Sequence, residues 1–271
     1  MDTETKTSVS GRPWDPSILM LCCKRVAAAD TRLARTSRIQ MITDPRILHL
    51  PCSGNVDPAL CVQLLREGMD GVLVLGCHSG DCCNSNGNHF AEMMMTWTRL
   101  ILNKTELDGE RLLIDWVSAN EGQLFTGIVS DFMEELRAFG PNPVNDPDRE
   151  PLCQQLDAAI LTLNDLRIRA LMDKVRTLQD QGNVYGETVD REELNAAVGS
   201  ALESEYLRKS ILVILKGRDM TVPQLSRRLS LSPETIMTQV VRLRQRNLLD
   251  ISRIDGLDPS YKIYGGVLDD R

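Results

Sequence analysis

From Ser17 to about Phe139, short apolar runs alternate with longer stretches whose apolar residues recur at helical spacing. The runs Ile18–Leu21, Ile47–Leu50, Val72–Leu75 and Leu112–Val117 predict strands. Each is nearly continuously apolar, the pattern of a parallel sheet covered on both faces. Ala27–Arg38, Asp57–Glu67, His89–Lys104 and Glu121–Phe139 predict helices. Asp57-Pro58 supplies an N-cap followed by proline at the first helical position, and Gly68 and Gly140 stop two of the helices. The alternation predicts a small doubly wound α/β domain whose ligands sit at the carboxyl ends of the strands.

Beyond Phe139 the pattern changes. Pro141, Pro143, Pro147 and Pro151, interleaved with Asn and Asp, predict a linker, because so much proline disfavours helix and sheet alike. Leu156, Ile160, Leu163, Leu166, Ile168, Leu171, Val175 and Leu178 then predict one helix, and Gly182–Val189 a break. Asp190 caps a helix expected to reach about Leu215. A short helix to Leu229, a turn at Ser230–Ser232, a helix over Glu234–Asn247, and strands Ile251–Ile254 and Tyr261–Tyr264 joined through Gly256 follow. That order is similar to a winged helix-turn-helix. The expected division is 1–141 for the α/β domain, 142–189 for linker and helix, and 190–271 for a mainly helical, winged-helix-like domain.

At 271 residues the chain has room for two compact domains. Aromatic residues make up only 4%, so Leu, Ile, Val, Met and Ala must fill the cores. A net charge of −7 argues against nucleic-acid binding by the whole molecule and leaves it as a secondary reading for the C-terminal domain. The apolar runs are too short for a membrane span, and Met1–Gly11 lacks the apolar core of a signal peptide. A cytoplasmic, reduced protein is expected.

The eight cysteines sit mostly in the first third, at strand ends, unlike a secreted disulfide framework. Cys22-Cys23, Cys52-Ser53-Gly54 and Gly76-Cys77-His78-Ser79-Gly80-Asp81-Cys82-Cys83 each follow a predicted strand. In one parallel sheet those sites gather at one edge. Gathered thiolates hold a metal or an iron–sulfur cluster, and a [2Fe–2S] centre takes four. Structural zinc sites more often show two close Cys pairs, whereas four residues separate Cys77 from Cys82. Neighbouring strand residues point to opposite faces, so one of Cys22 and Cys23 is expected to ligate and the other to pack. Cys61 and Cys153 are expected to be plain packing residues.

Cys52-Ser53-Gly54-Asn55-Val56-Asp57-Pro58, Asp70-Gly71-Val72-Leu73-Val74-Leu75-Gly76-Cys77-His78, Gly80-Asp81-Cys82, Gly87-Asn88 and Trp116-Val117-Ser118-Ala119-Asn120-Glu121-Gly122 resemble, in order, the delta subunit family of methyl-viologen-reducing hydrogenase. The resemblance covers roughly residues 17 to 141. It implies a [2Fe–2S] protein relaying electrons between an oxidoreductase module and a flavin-containing, iron–sulfur heterodisulfide-reductase-like subunit. Its implied ligands are Cys52, Cys77 and Cys82, with Cys22 or Cys23. Related subunits serve several oxidoreductases, so the resemblance fixes no single second partner. The chain departs from the family's pattern in its short first motif, which leaves the fourth ligand open, in Cys83 where a histidine is usual, which makes Cys83 a candidate substitute ligand, and in Asn55 where an arginine is usual.

Other residues carry weaker signals. His78 lies inside the cysteine loop, and Asp81 and Glu121 are candidate acceptors supporting it. His49 is expected to be packed, and Met93-Met94-Met95 to fill core. No Gly-rich dinucleotide fingerprint follows the first strand, and nothing suggests substrate chemistry of the chain's own. Arg227, Arg228, Arg242, Arg244 and Arg246 could meet DNA phosphate. Residues two apart on a helix point away from each other, however, and Asp250, Asp255 and Asp258 make the hairpin acidic. A protein-docking role for this domain is favoured. A redox-responsive transcription regulator and a zinc-stabilised interaction protein are the rival readings.

Overall fold

The computed structural model of the chain describes residues 14–26, 46–84, 86–187, 189–256 and 258–264. Strands β1 (Ile18–Cys23), β2 (Arg46–Leu50), β3 (Gly71–Gly76) and β4 (Leu112–Trp116) form one sheet in the order β2-β1-β3-β4. All three pairings are parallel. Helices α1 (Pro58–Arg66), α2 (Gly87–Leu102) and α3 (Gly122–Phe139) follow β2, β3 and β4. The expected helix Ala27–Arg38 lies outside the described residues.

The two faces of the sheet build two cores by period-two alternation. Leu21, Val72 and Val74 pack with Val62 and Leu65 of α1 and with Met95 and Ile101 of α2. Met20, Leu73 and Leu75 pack on the other face with Phe125, Phe132 and Leu136 of α3. The doubly wound α/β expectation is thus met, with α1 and α2 opposite α3. Asp57 caps α1 by accepting the Ala59 amide at 3.0 Å, as its sequence predicts. Met93 and Met95 are buried and Met94 packs against the same core. His49 is a correction: it stands exposed on β2, which is an edge strand of the sheet among the described residues.

The proline-rich stretch is less of a linker than its composition suggests. Asn142 is buried and holds the chain down, its side-chain amide donating to the carbonyls of Leu65 and Met69 at 2.7 Å each. Its backbone N–H donates to Asp70 Oδ1 at 2.7 Å. Pro151 falls in the first turn of helix α4 (Glu150–Leu163), where a missing N–H costs nothing. The single helix expected over 156–178 is two, because Asp165 ends one and caps α5 (Leu166–Gln181) through the Arg167 amide. Leu152, Leu156, Ala159, Met172 and Val175 of these helices extend the α1/α2 core.

Helix α6 (Arg191–Ile214) leads into β5 (Met220–Thr221), α7 (Val222–Leu229), α8 (Pro233–Gln245), β6 (Leu249–Asp255) and β7 (Asp258–Ile263). The three strands form an antiparallel sheet ordered β5-β7-β6 around a core that includes Leu225, Ile236, Val240, Leu243 and Tyr261. The helix–turn–helix and hairpin follow the predicted order, and the hairpin strands are longer than their apolar cores. Among the described residues no helix is long and apolar enough to cross a membrane.

Candidate functional site

The parallel register delivers the cysteines to one rim. Cys23 ends β1 opposite Leu50 of β2, Cys52 precedes a tight turn two residues past β2, and Cys77 directly follows β3. Cys82 sits in the loop that enters α2. Two glycines let these loops close up. A Cβ on Gly87 would lie 2.6 Å from Cys52 Sγ and 3.1 Å from Cys82 Sγ, and a Cβ on Gly54 would lie 2.7 Å from the Gly87 carbonyl. The Cys52 turn and the start of α2 therefore touch backbone to backbone, with two sulfurs against the contact.

Electrostatics join the other cysteines to this pair. Burial pushes the Cys77 thiol up to about 12, and the neighbouring Cys23 and Cys82 push the same way. Partial burial also raises the Cys82 thiol, but the backbone N–H groups of Asn84, Asn88 and Gly87 and the thiol of Cys77 outweigh it, so it lies below the usual cysteine value. N–H groups at a helix start favour thiolate, the form that binds metal. The structure thus brings Cys23, Cys52, Cys77 and Cys82 to one place. Of the adjacent pair, Cys23 acts electrostatically on Cys77, and Cys22, Cys23 and Cys77 are all buried in the α3-side core.

The other cysteines stand apart from this group. Cys61 is fully buried in the α1/α2 core, where burial pushes its thiol up to about 12. Cys153 lies on α4 and is half-buried, as expected of a packing residue. Cys83 is exposed, and Arg25 Nε donates to its sulfur at 2.8 Å. No sequence signal linked those two, because 58 positions separate them.

The fit to a cluster can be tested on what surrounds the sulfurs. Ser53 Oγ and Asn88 Oδ1 are buried polar atoms with no hydrogen-bond partner among the described residues. Each adjoins the cysteine group in the chain, beside Cys52 and Gly87. Unpaired buried polar atoms are costly; the Ser53 hydroxyl can donate to a sulfur set there, whereas Asn88 Oδ1, an acceptor only, cannot. No three His, Cys, Asp or Glu side chains among the described residues are spaced to grip one metal ion as they stand. Four cysteines around a two-iron centre are divided between two metals, a wider arrangement than four around one ion. The donor set is all thiol, the chemistry an iron–sulfur centre needs.

A second layer holds the loop from outside. His78 Nε2 lies 2.8 Å from Glu121 Oε2, which also accepts the Ser118 N–H at 2.8 Å. Ser118 Oγ donates to Asp81 Oδ2 at 2.9 Å. His89 contacts Ser79 Oγ at 3.2 Å. The sequence marked Asp81 and Glu121 as supports; the part of Ser118 was not apparent.

Comparison with known proteins agrees with this geometry. Residues 18–140 match the family described as methyl-viologen-reducing hydrogenase, delta subunit. The chain is 31% identical over 128 residues to the vhc iron-sulfur subunit of the F420-non-reducing hydrogenase of Methanococcus voltae, covering 47% of this chain and 89% of the relative. The corresponding iron-sulfur subunit of the F420-non-reducing hydrogenase of Archaeoglobus profundus is 31% identical over 128 residues, 47% of this chain and 93% of its own. A third similarity, 34% over 126 residues, is to one subunit of the ferredoxin/F(420)H(2)-dependent CoB-CoM heterodisulfide reductase of Methanosarcina acetivorans. It covers 46% of this chain and only 16% of that relative, so there the matching stretch is a small part of a longer polypeptide.

Proposed function

Because this chain belongs to the methyl-viologen-reducing hydrogenase delta subunit family, we propose that it is an iron–sulfur electron-transfer subunit of a larger oxidoreductase, without substrate chemistry of its own. The observation that carries the reading is the convergence of Cys52 Sγ and Cys82 Sγ on Gly87, with Cys23 and Cys82 close enough to Cys77 to push its thiol up. In this reading Cys23, Cys52, Cys77 and Cys82 hold one [2Fe–2S] cluster, which takes up and passes on single electrons when bound. The N–H groups of Asn84, Gly87 and Asn88 favour the thiolate of Cys82, and burial of Cys23, Cys52 and Cys77 keeps water from the sulfurs.

The partner we propose is a protein similar to the heterodisulfide reductase polypeptide of Methanosarcina acetivorans. In that relative the matching stretch and the rest of the reductase polypeptide form one chain, which supports an association of the separate chains here. A second oxidoreductase module would stand on the other side of the electron path. Residues 190–271 form the winged-helix-like unit of this reading and serve docking rather than DNA reading. Met237 and Val241 are exposed on α8 where a DNA reader needs polar groups, and Arg246 is already engaged by Glu205 at 3.2 Å.

The test is anaerobic purification with assay of iron and acid-labile sulfide. Cys77→Ser and Cys82→Ser should lose the visible absorption, whereas Cys153→Ser should keep it. Full iron in Cys82→Ser, or stoichiometric zinc without iron and sulfide in the unaltered chain, would sink the assignment. A salt-dependent shift of promoter DNA would favour the regulator instead.

A further inference from the structure

The residues that flank the two loop cysteines are tied to a single short turn. His78, directly after Cys77, meets Glu121 Oε2 at 2.8 Å, and Asp81, directly before Cys82, accepts Ser118 Oγ at 2.9 Å. Ser118 and Glu121 also grip each other twice. The Ser118 N–H donates to Glu121 Oε2 at 2.8 Å, and the Glu121 N–H donates to the Ser118 carbonyl at 3.0 Å. This turn begins two residues past β4, whose Trp116 pairs in register with Gly76 at the end of β3. Both ends of the latch are therefore anchored on neighbouring strands of the same sheet.

We propose that Glu121 and Ser118 are positioning residues: together they latch the Cys77–Cys82 loop to the β4–α3 turn and set both its geometry and its local charge. This inference rests on the iron–sulfur reading only for its effect on potential; the latch itself is a property of the protein. With Glu121 ionised, Oε2 can accept both the Ser118 N–H and a proton carried on His78 Nε2. The Ser118 amide and then the His78 contact hold the Glu121 carboxyl below the usual carboxylate range, consistent with that state. A negative charge held against His78, the neighbour of Cys77, disfavours an added electron nearby, so its removal raises the potential of a centre held there. Glutamine can keep the bond from the Ser118 amide but not the charge. Alanine keeps neither.

Full-length Glu121→Gln and Glu121→Ala chains are compared with the unaltered protein in two measurements. In reduced, metal-free protein, iodoacetamide alkylation of Cys77 is followed by mass spectrometry against Cys153 as internal reference. Glu121→Ala should react roughly three- to tenfold faster, the range expected when two exposed hydrogen bonds to one carboxylate are lost. Glu121→Gln should stay within about twofold of the unaltered chain, because the amide acceptor is retained. In iron-loaded protein the midpoint potential of Glu121→Gln should move to more positive values with iron content unchanged. Equal alkylation in Glu121→Ala and the unaltered chain overturns the latch, and a potential that fails to move in Glu121→Gln overturns its effect on local charge. Absence of iron and sulfide from the unaltered chain overturns the electron-carrier reading instead, and the alkylation rates then decide the latch alone. If Glu121→Ala does not fold, Ser118→Ala carries the same alkylation test at Cys82, since it frees only Asp81.

Discussion

Adding one methyl group at Gly87 should separate the stability of the fold from its capacity to hold iron. A Cβ there would approach Cys52 Sγ to 2.6 Å and Cys82 Sγ to 3.1 Å. Unstrained heavy-atom contacts lie at about 3.5–4.0 Å, so Cys52 Sγ would have to retreat by roughly 1 Å and Cys82 Sγ by somewhat less. Cys52 is only 3% exposed and has little room for that movement. Overpacking of this kind costs about 1–3 kcal/mol. The opposing term is helical: Gly87 opens α2 with no left-handed φ, and alanine in place of glycine favours a helix by about 0.5–1 kcal/mol at most. Gly87→Ala should therefore lose about 1–2 kcal/mol in urea unfolding yet remain folded, while iron content and visible absorption drop sharply. Gly127→Ala is the control. It lies within α3 with open space around its Cβ, and should gain about 0.5–1 kcal/mol with iron content unchanged. A Gly87→Ala protein with full iron and an unaltered spectrum would refute the placement of Cys52 and Cys82 on one centre.

Three further outcomes test other parts of the chain. Leu156→Ala removes a fully buried side chain from the contact of α4 with the α1/α2 core and should cost about 2–5 kcal/mol in urea unfolding; a loss below about 1 kcal/mol would mean that α4 packs elsewhere. Arg208→Ala removes the guanidinium that meets buried Glu205 at 2.7 Å and should cost about 3 kcal/mol, whereas exposed Arg244→Ala should change stability by less than about 0.5 kcal/mol. Burial raises the Cys61 thiol from 9.0 to about 12, so the fold favours its protonated form. That stabilisation is complete below about pH 9 and fades as the pH climbs toward about 12. Tyr206, raised by burial to about 12, acts in the same direction. Cys61→Ala should accordingly lose less stability between pH 9 and about 11 than the unaltered chain; parallel curves would refute the burial argument.

The sheet was legible because its signal is redundant. Val72–Leu75 is apolar at every position, and β3 is buried on both faces as the central strand demands. The cysteines were legible as a group for the same reason, since parallel strands must end together. Which of Cys22 and Cys23 serves the group was not legible, because adjacent cysteines at a strand end carry the same local signal. Leu156 to Leu178 gave one helical phase, yet Asn164 and Asp165 break it; Asp is tolerated inside a helix, and its capping of the Arg167 amide is a tertiary choice. The four prolines hid a docked segment because Asn142 finds its partners, Leu65, Met69 and Asp70, more than 70 positions upstream. The Ser118–Asp81 bond escaped notice for the same reason: long-range side-chain partners leave no local periodicity.

Helix α6 bears on how the two ends of the molecule work together. At 24 residues it is about 36 Å long, and it belongs to both cores. Leu194, Val198 and Leu202 pack with α2 and α4, while Ile211, Leu212 and Ile214 pack beneath α7 and α8. One continuous helix thus joins the two halves. Lys209 reaches back to Asp165 at 2.8 Å, the residue that also caps α5. Glu205, 3% exposed, accepts from Arg208 at 2.7 Å and Arg246 at 3.2 Å, and Gln239 of α8 accepts from Arg208 at 3.0 Å. Such a buried ionic network adds little net stability, but every wrong alignment of α8 on α6 would leave a charge unpaired. A partner seated on the C-terminal unit, as proposed, would therefore fix the direction in which the cysteine rim faces. That is the mechanical requirement for electron transfer between subunits, because the rate depends on distance and orientation rather than on contact area.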